Sequence, residues 1–237
     1  MSDTQVRDEV LTIFLAGYET VANALTWTWY LLSQNPEAEA KLHAELDAVL
    51  GIPQEVSSRP DPEQAQRAEG EVEGPASLPL SPKHRLPTLA DYPNLKYTEQ
   101  VFAESMRLYP PAWAMGRMAI KEAALGEYDI PKGAHIFFSQ YILSHTPEYF
   151  PNPLRFDPDR FTHEAKAARE KYTYIPFGGG NRQCIGESFA WMEGVFTIAT
   201  IASRWRMTYA DKKLPTPQAK ITLRPRDPLK MVLHPRR

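Results

Sequence analysis

Over the first 35 positions, Val6, Val10, Ile13, Phe14, Val21, Leu25 and Trp29 recur at three- and four-residue intervals, which predicts one long helix from Met1 to Asn35. Gly17 sits in its middle, where it costs about 1 kcal/mol against alanine and so calls for a reason. Pro36 opens a second helix, Glu37 to Leu50, which Gly51 terminates. A third runs from Leu95 to Tyr109 and is closed by Pro110-Pro111. Between Met118 and Phe138 the pattern shortens to strand-like pieces, with turns at Gly126 and Pro131-Lys132-Gly133. Asn152 to Phe161 is a proline-punctuated meander. A fourth helix is expected from Ile185 to Trp205, with Phe189, Met192, Phe196 and Ile201 among its apolar positions. Short strands are expected near Arg206–Tyr209 and Lys220–Leu233. The chain therefore reads as mainly α with minor β, and as a single domain over 1–237.

Ile52 to Arg85 breaks the pattern. It carries Pro53, Pro60, Pro62, Pro75, Pro79 and Pro82, several glutamates and almost no aromatic residue. That composition buries too little apolar surface to offset chain entropy, and predicts a disordered or loosely ordered surface insertion. A domain boundary is the alternative; the insertion is preferred because neither flank reads as a self-sufficient core.

Composition narrows the class. Of 237 residues, 43% are hydrophobic and 24% charged, the balance of a soluble globular protein. A net charge of −2 argues against a nucleic-acid binder of the bulk-electrostatic kind. A single cysteine forms no internal disulfide, so the expected setting is the reducing cytoplasm. The longest apolar run, around Val10 to Ala16, falls far short of the ~20 residues of a spanning helix.

The chemistry concentrates in "FGGGNRQCIG", Phe177 to Gly186, which holds that cysteine. A lone cysteine is most often a small buried hydrophobe. Here Gly178, Gly179 and Gly180 let the backbone approach a ligand closely. Cys184 then falls at a predicted helix N-terminus, where free N–H groups and the dipole favour an anion. A thiolate receiving backbone hydrogen bonds is suited to ligating iron, and Arg182 to meeting a carboxylate or phosphate. The segment lacks the Gly-Lys-Ser/Thr ending of a phosphate-binding loop. Two further segments are ambiguous alone. "ESMR", Glu104 to Arg107, places an acid and a base three apart on one helix face, as many solvated helices do. In "AGYET", Ala16 to Thr20, the Thr20 hydroxyl is placed to divert the Ala16 carbonyl and open a groove; an ordinary packing glycine is the other reading.

Taken together, these segments resemble the cytochrome P450 family of haem-thiolate monooxygenases. "FGGGNRQCIG" matches that family's Phe-x-x-Gly-x-Arg-x-Cys-x-Gly signature at every defined position, and "ESMR" its Glu-x-x-Arg element. "FDPDRF", Phe156 to Phe161, is similar to its meander, and "AGYET" to its oxygen-activation segment. The resemblance implies haem b (iron protoporphyrin IX) as cofactor, with Cys184 as the iron ligand. Phe177 would pack against the loop with Gly186 at its end, and Arg182 and Arg117 would meet the haem propionates. Glu104, Arg107 and Arg160 would form a buried ionic triad. Glu19 and Thr20 would bring water and protons to dioxygen, a pair that family members using peroxide directly commonly lack. Ala16, Ala112 and Trp113 would lie near an apolar small-molecule substrate. With no flavin or iron–sulfur signature in the chain, a separate reductase or ferredoxin would supply electrons.

Family members are roughly twice this long, and Tyr18 stands where histidine is frequent. The resemblance thus implies the C-terminal half of the fold, with its N-terminal half missing. The expectation is an exposed apolar surface that such a half, an oligomer or another partner covers. The alternative to an active monooxygenase is a haem-binding or degenerate relative without catalysis, acting if at all as an interaction module.

Overall fold

Ser2 sets the start of the first helix. Its hydroxyl accepts from the Gln5 N–H at 3.3 Å, while the Gln5 side chain accepts from the Ser2 N–H at 2.8 Å. This capping box satisfies two of the orphan donors at the helix end. The computed structural model describes residues 1–51 and 84–236. Helix α1 (Asp3–Gln34) runs unbroken, and the Thr20 hydroxyl donates to the Ala16 carbonyl at 2.8 Å. Thr12, Thr26 and Thr28 make the same bond four residues back, so it does not by itself mark a groove. The C-terminal half of α1 buries Val21, Ala24, Trp27, Leu31 and Leu32, one face at helical spacing, whereas its residues from Asp3 to Tyr18 are all exposed.

Three more helices complete the core: α2 (Pro36–Leu50), α3 (Lys96–Leu108) and a later helix beginning at Glu187. Every residue of α3 from Val101 to Leu108 is buried, because this helix lies against α1, α2 and the later helix at once. Its N-terminus has no local side-chain cap. Glu45 of α2 takes that role, accepting the N–H groups of Tyr97 at 2.5 Å and Thr98 at 2.9 Å and the Thr98 hydroxyl at 2.6 Å. The short helices α4 (Gln140–Ser144) and α5 (His163–Ala168) lead to α6 (Glu187–Ala202).

Among the described residues, four antiparallel two-stranded sheets accompany the helices. They pair β1 (Met115–Met118) with β4 (His135–Phe138), β2 (Ala123–Leu125) with β3 (Tyr128–Ile130), β5 (Trp205–Tyr209) with β8 (Met231–Pro235), and β6 (Pro217–Ala219) with β7 (Leu223–Pro225). The mainly helical class with minor sheet holds. The short strands expected near Lys220–Leu233 are β7 and the start of β8, which belong to different sheets; Pro225 and Pro228 lack the N–H a continuous ladder needs. The fourth helix is also shorter than Ile185–Trp205: Trp205 opens β5.

The insertion expected over 52–85 lies outside the described residues except at its end. There, His84 and Arg85 belong to the fold. Gly51 and His84 form an isolated antiparallel bridge, and His84 Nε2 lies 2.6 Å from Asp47 Oδ1. Arg85 holds Asp91 with two bonds of 2.6 Å. No helix among the described residues is long and apolar enough to cross a membrane.

Candidate active site around the cysteine loop

The loop carrying Cys184 is a tight hairpin clamped from behind. The Gly178 N–H donates to the Ile175 carbonyl at 2.9 Å, and the Cys184 N–H to the Phe177 carbonyl at 2.9 Å. Gly178 (φ +75°) and Gly180 (φ +66°) adopt left-handed conformations that a side chain resists, which is why glycines stand there. Phe177 anchors the loop by packing against Trp191 at 5.7 Å between ring centres, and Trp191 meets Phe102 of the core edge-on at 5.6 Å. The thiol of Cys184 is free and exposed, two residues before Gly186, the N-cap of α6. Gly186 keeps the space beside it open, since a Cβ there would stand 3.9 Å from Cys184 Sγ. The apolar neighbours are exposed with it, Ile185 at 97% and Phe189 at 66%.

Two arginines flank this face with donors to spare. Arg182 is exposed and makes no side-chain hydrogen bond among the described residues. Among the described residues Arg117, on β1, donates only to the neighbouring Gly116 carbonyl at 2.8 Å, and it lies over the Phe138 ring. Strand β1 reaches the loop through Met115, whose sulfur lies 3.4 Å from where a Cβ on Gly178 would stand. Arg117 is two positions along that strand and so on the same face as Met115.

On α1, Ala16 is exposed and the space beside Gly17 is open. The structure ties Glu19 to a residue the sequence reading missed: Thr222 donates to Glu19 Oε1 at 2.6 Å and accepts from Asn23 Nδ2 at 3.0 Å. The Ala112 carbonyl accepts from the Gln140 side chain, and Trp113 Nε1 donates to the Lys220 carbonyl at 2.9 Å. Trp113 and Glu19 are therefore linked through one turn, Lys220–Leu223, although they are far apart in sequence. Nothing local announced Thr222, because threonine stands out neither in hydropathy nor in charge.

Glu104, Arg107 and Arg160 come together beneath. Arg107 donates to both Glu104 oxygens, at 2.6 and 2.8 Å, with both side chains 0% exposed. The Asp157 N–H adds a bond of 2.9 Å to Glu104, and Arg160 Nε stands 3.6 Å from the same oxygen. Arg160 also donates to the Pro151 and Asn152 carbonyls, and Arg107 to those of Ser144 and Arg155, so the triad fastens α3 to the meander.

The family model for cytochrome P450 matches residues 1–69 and 78–233. Over its whole length the chain is 40% identical to the cyclooctatin synthase of Streptomyces melanosporofaciens and 33% identical to the pentalenene oxygenase of Streptomyces avermitilis, covering 44% of each. The crystal structure of the cytochrome P450DA heme domain superposes with a TM-score of 0.80 at 25% identity, over 100% of this chain and 46% of that one. The chain belongs to the cytochrome P450 family, whose cofactor is haem b. It spans less than half the length of these relatives. The residues present fit that group: an exposed thiol at a helix start, an apolar surround, and two guanidiniums with unpaired donors for its carboxylates.

Proposed function

We propose that this chain carries the catalytic part of a haem-thiolate monooxygenase that inserts one atom of dioxygen into an apolar substrate. The observation that carries the reading is the free, exposed thiol of Cys184, held out by a clamped loop. The monooxygenase chemistry is that of the family, among whose members is a cyclooctat-9-en-7-ol 5-monooxygenase 38% identical over 87% of this chain. The haem, when bound, supplies dioxygen activation and the one-electron steps. Cys184 would ligate its iron and Arg182 and Arg117 would hold its propionates; Phe177 keeps the loop seated on the core. Thr20 holds a proton at its hydroxyl and Glu19 replenishes it. Ala16, Ala112 and Trp113 orient the substrate and exclude water. The relatives' names favour terpenoid alkenes and alkenols as the substrate class. Electrons come from a separate reductase or ferredoxin, and the location is cytoplasmic, as a single unpaired cysteine favours.

Reduction of the haem-loaded protein under carbon monoxide tests this. The expected result is the red-shifted Soret band of a thiolate-ligated ferrous complex, lost in Cys184→Ala. Folded, haem-loaded protein without that band defeats the proposal. The exposed N-terminal half of α1 favours the second reading, a haem-binding or degenerate relative that acts as an interaction module. Haem content unchanged by Cys184→Ala would select it.

A further inference from the structure

We propose that Thr222, on the turn between β6 and β7, is the positioning residue that aims the Glu19 carboxylate; the inference rests on the monooxygenase reading given above. A hydroxyl has one proton and two acceptor sites. Asn23 Nδ2 occupies one acceptor site of Thr222 at 3.0 Å, and the proton goes to Glu19 Oε1 at 2.6 Å, the short distance of a charge-assisted bond. Glu19 and Asn23 are four residues apart on α1 and so lie on one helix face, which the hydroxyl bridges. No other side-chain bond to Glu19 is made among the described residues. One carboxylate oxygen is thus anchored and the other is left to exchange protons.

The turn is built to hold this hydroxyl in place. Trp27 Nε1 donates to the Leu223 carbonyl at 3.2 Å, the Leu223 N–H donates to the Pro111 carbonyl at 2.9 Å, and Trp113 Nε1 donates to the Lys220 carbonyl. Within it Thr222 is 5% exposed while its neighbour Ile221 is 92% exposed. A buried hydroxyl needs a hydrogen-bond partner, and both of those that Thr222 has are on α1. An unanchored glutamate on a half-exposed helix face samples many rotamers, and misplacement of a proton donor by about 1 Å lowers rates by up to about 10²-fold. Thr222 transfers no proton; it fixes the group that does.

Two measurements test this, one free of haem. In threonine-labelled protein without haem, the Thr222 hydroxyl proton is expected to be protected from exchange and visible by NMR. Glu19→Gln should weaken that protection and Asn23→Leu should reduce it less. A hydroxyl proton in fast exchange overturns the proposal. In haem-loaded protein supplied with electrons by a plant-type ferredoxin and its reductase, Thr222→Val is expected to slow NADPH oxidation about tenfold. Its solvent isotope effect should rise, and Thr222→Ser should restore both. If Thr222→Val leaves rate and isotope effect unchanged while Glu19→Gln alters them, the positioning role is wrong and the monooxygenase reading stands. If Glu19→Gln alters neither, the proton role of Glu19 fails. If Thr222→Val does not fold, Asn23→Leu carries the test, with a smaller change of the same sign expected and no change overturning the proposal.

Discussion

Glu104 and Arg107 are two opposite charges with no exposed side-chain surface, and neither is tolerable without the other. Removing one partner of such a pair strands a buried charge at a cost of about 3–5 kcal/mol, whereas an apolar pair of similar volume is far milder. Glu104→Ala is therefore expected to lower unfolding free energy by about 3–5 kcal/mol in denaturant titration. Glu104→Leu with Arg107→Met should lose less than Glu104→Ala; an equal or larger loss would show that the pair's worth lies in its meander contacts. The Glu104–Arg107 half of this cluster is legible in the sequence, since three-residue spacing puts both on one helix face. Arg160 joins from 56 positions away and was reachable only through the family's motif. Thr222 lies 203 positions from Glu19 and escaped both routes, because a single hydroxyl leaves no trace in periodicity or charge.

Two mid-helix glycines show where element-level reading stops. Gly17 and Gly194 carry the same propensity cost, yet a Cβ on Gly17 meets nothing within 4 Å, while one on Gly194 runs into the ring of Phe102. Helix α6 needs Gly194 so that α3 and its Phe102 can approach, a fact that lives in the packing of two helices and not in either sequence. Gly194→Ala is expected to destabilise by about 1–3 kcal/mol through overpacking, and Phe102→Leu to recover part of that loss. A neutral Gly194→Ala variant would mean the ring has room to move. On α2, burial, followed by the nearby Arg236, lowers His43 from 6.5 to about 4, with Arg206 and His84 acting the same way and Asp47 against them. Between those values the unfolded chain takes up a proton that the folded one refuses, so stability falls as pH drops from 6.5 and levels off below about 4. Stability curves of His43→Gln should be flatter than the parent's across that window; parallel curves would remove His43 as the cause.

At the scale of the whole molecule, the core is one-sided. Trp27, Leu31, Leu42, Leu46, Val101, Phe102, Val195 and Ile198 share one cluster formed by α1, α2, α3 and α6. The first five turns of α1 extend beyond it, and Val6, Val10, Ile13, Phe14 and Leu15 are all exposed there. The pattern that predicts this helix cannot tell a face buried against the core from one left bare, since both read as the same apolar stripe. A contiguous apolar patch of this kind binds hydrophobic dyes and drives association. The chain as it stands is expected to bind anilinonaphthalene sulfonate in its native state and to sediment with a concentration-dependent rate. Because these side chains contribute nothing to the core cluster, Val10→Lys with Phe14→Gln should abolish both properties while changing unfolding free energy by no more than about 0.5 kcal/mol. Dye binding that persists in the double variant would place the exposed patch elsewhere, with Ile185 and Phe189 beside Cys184 as the next residues to substitute.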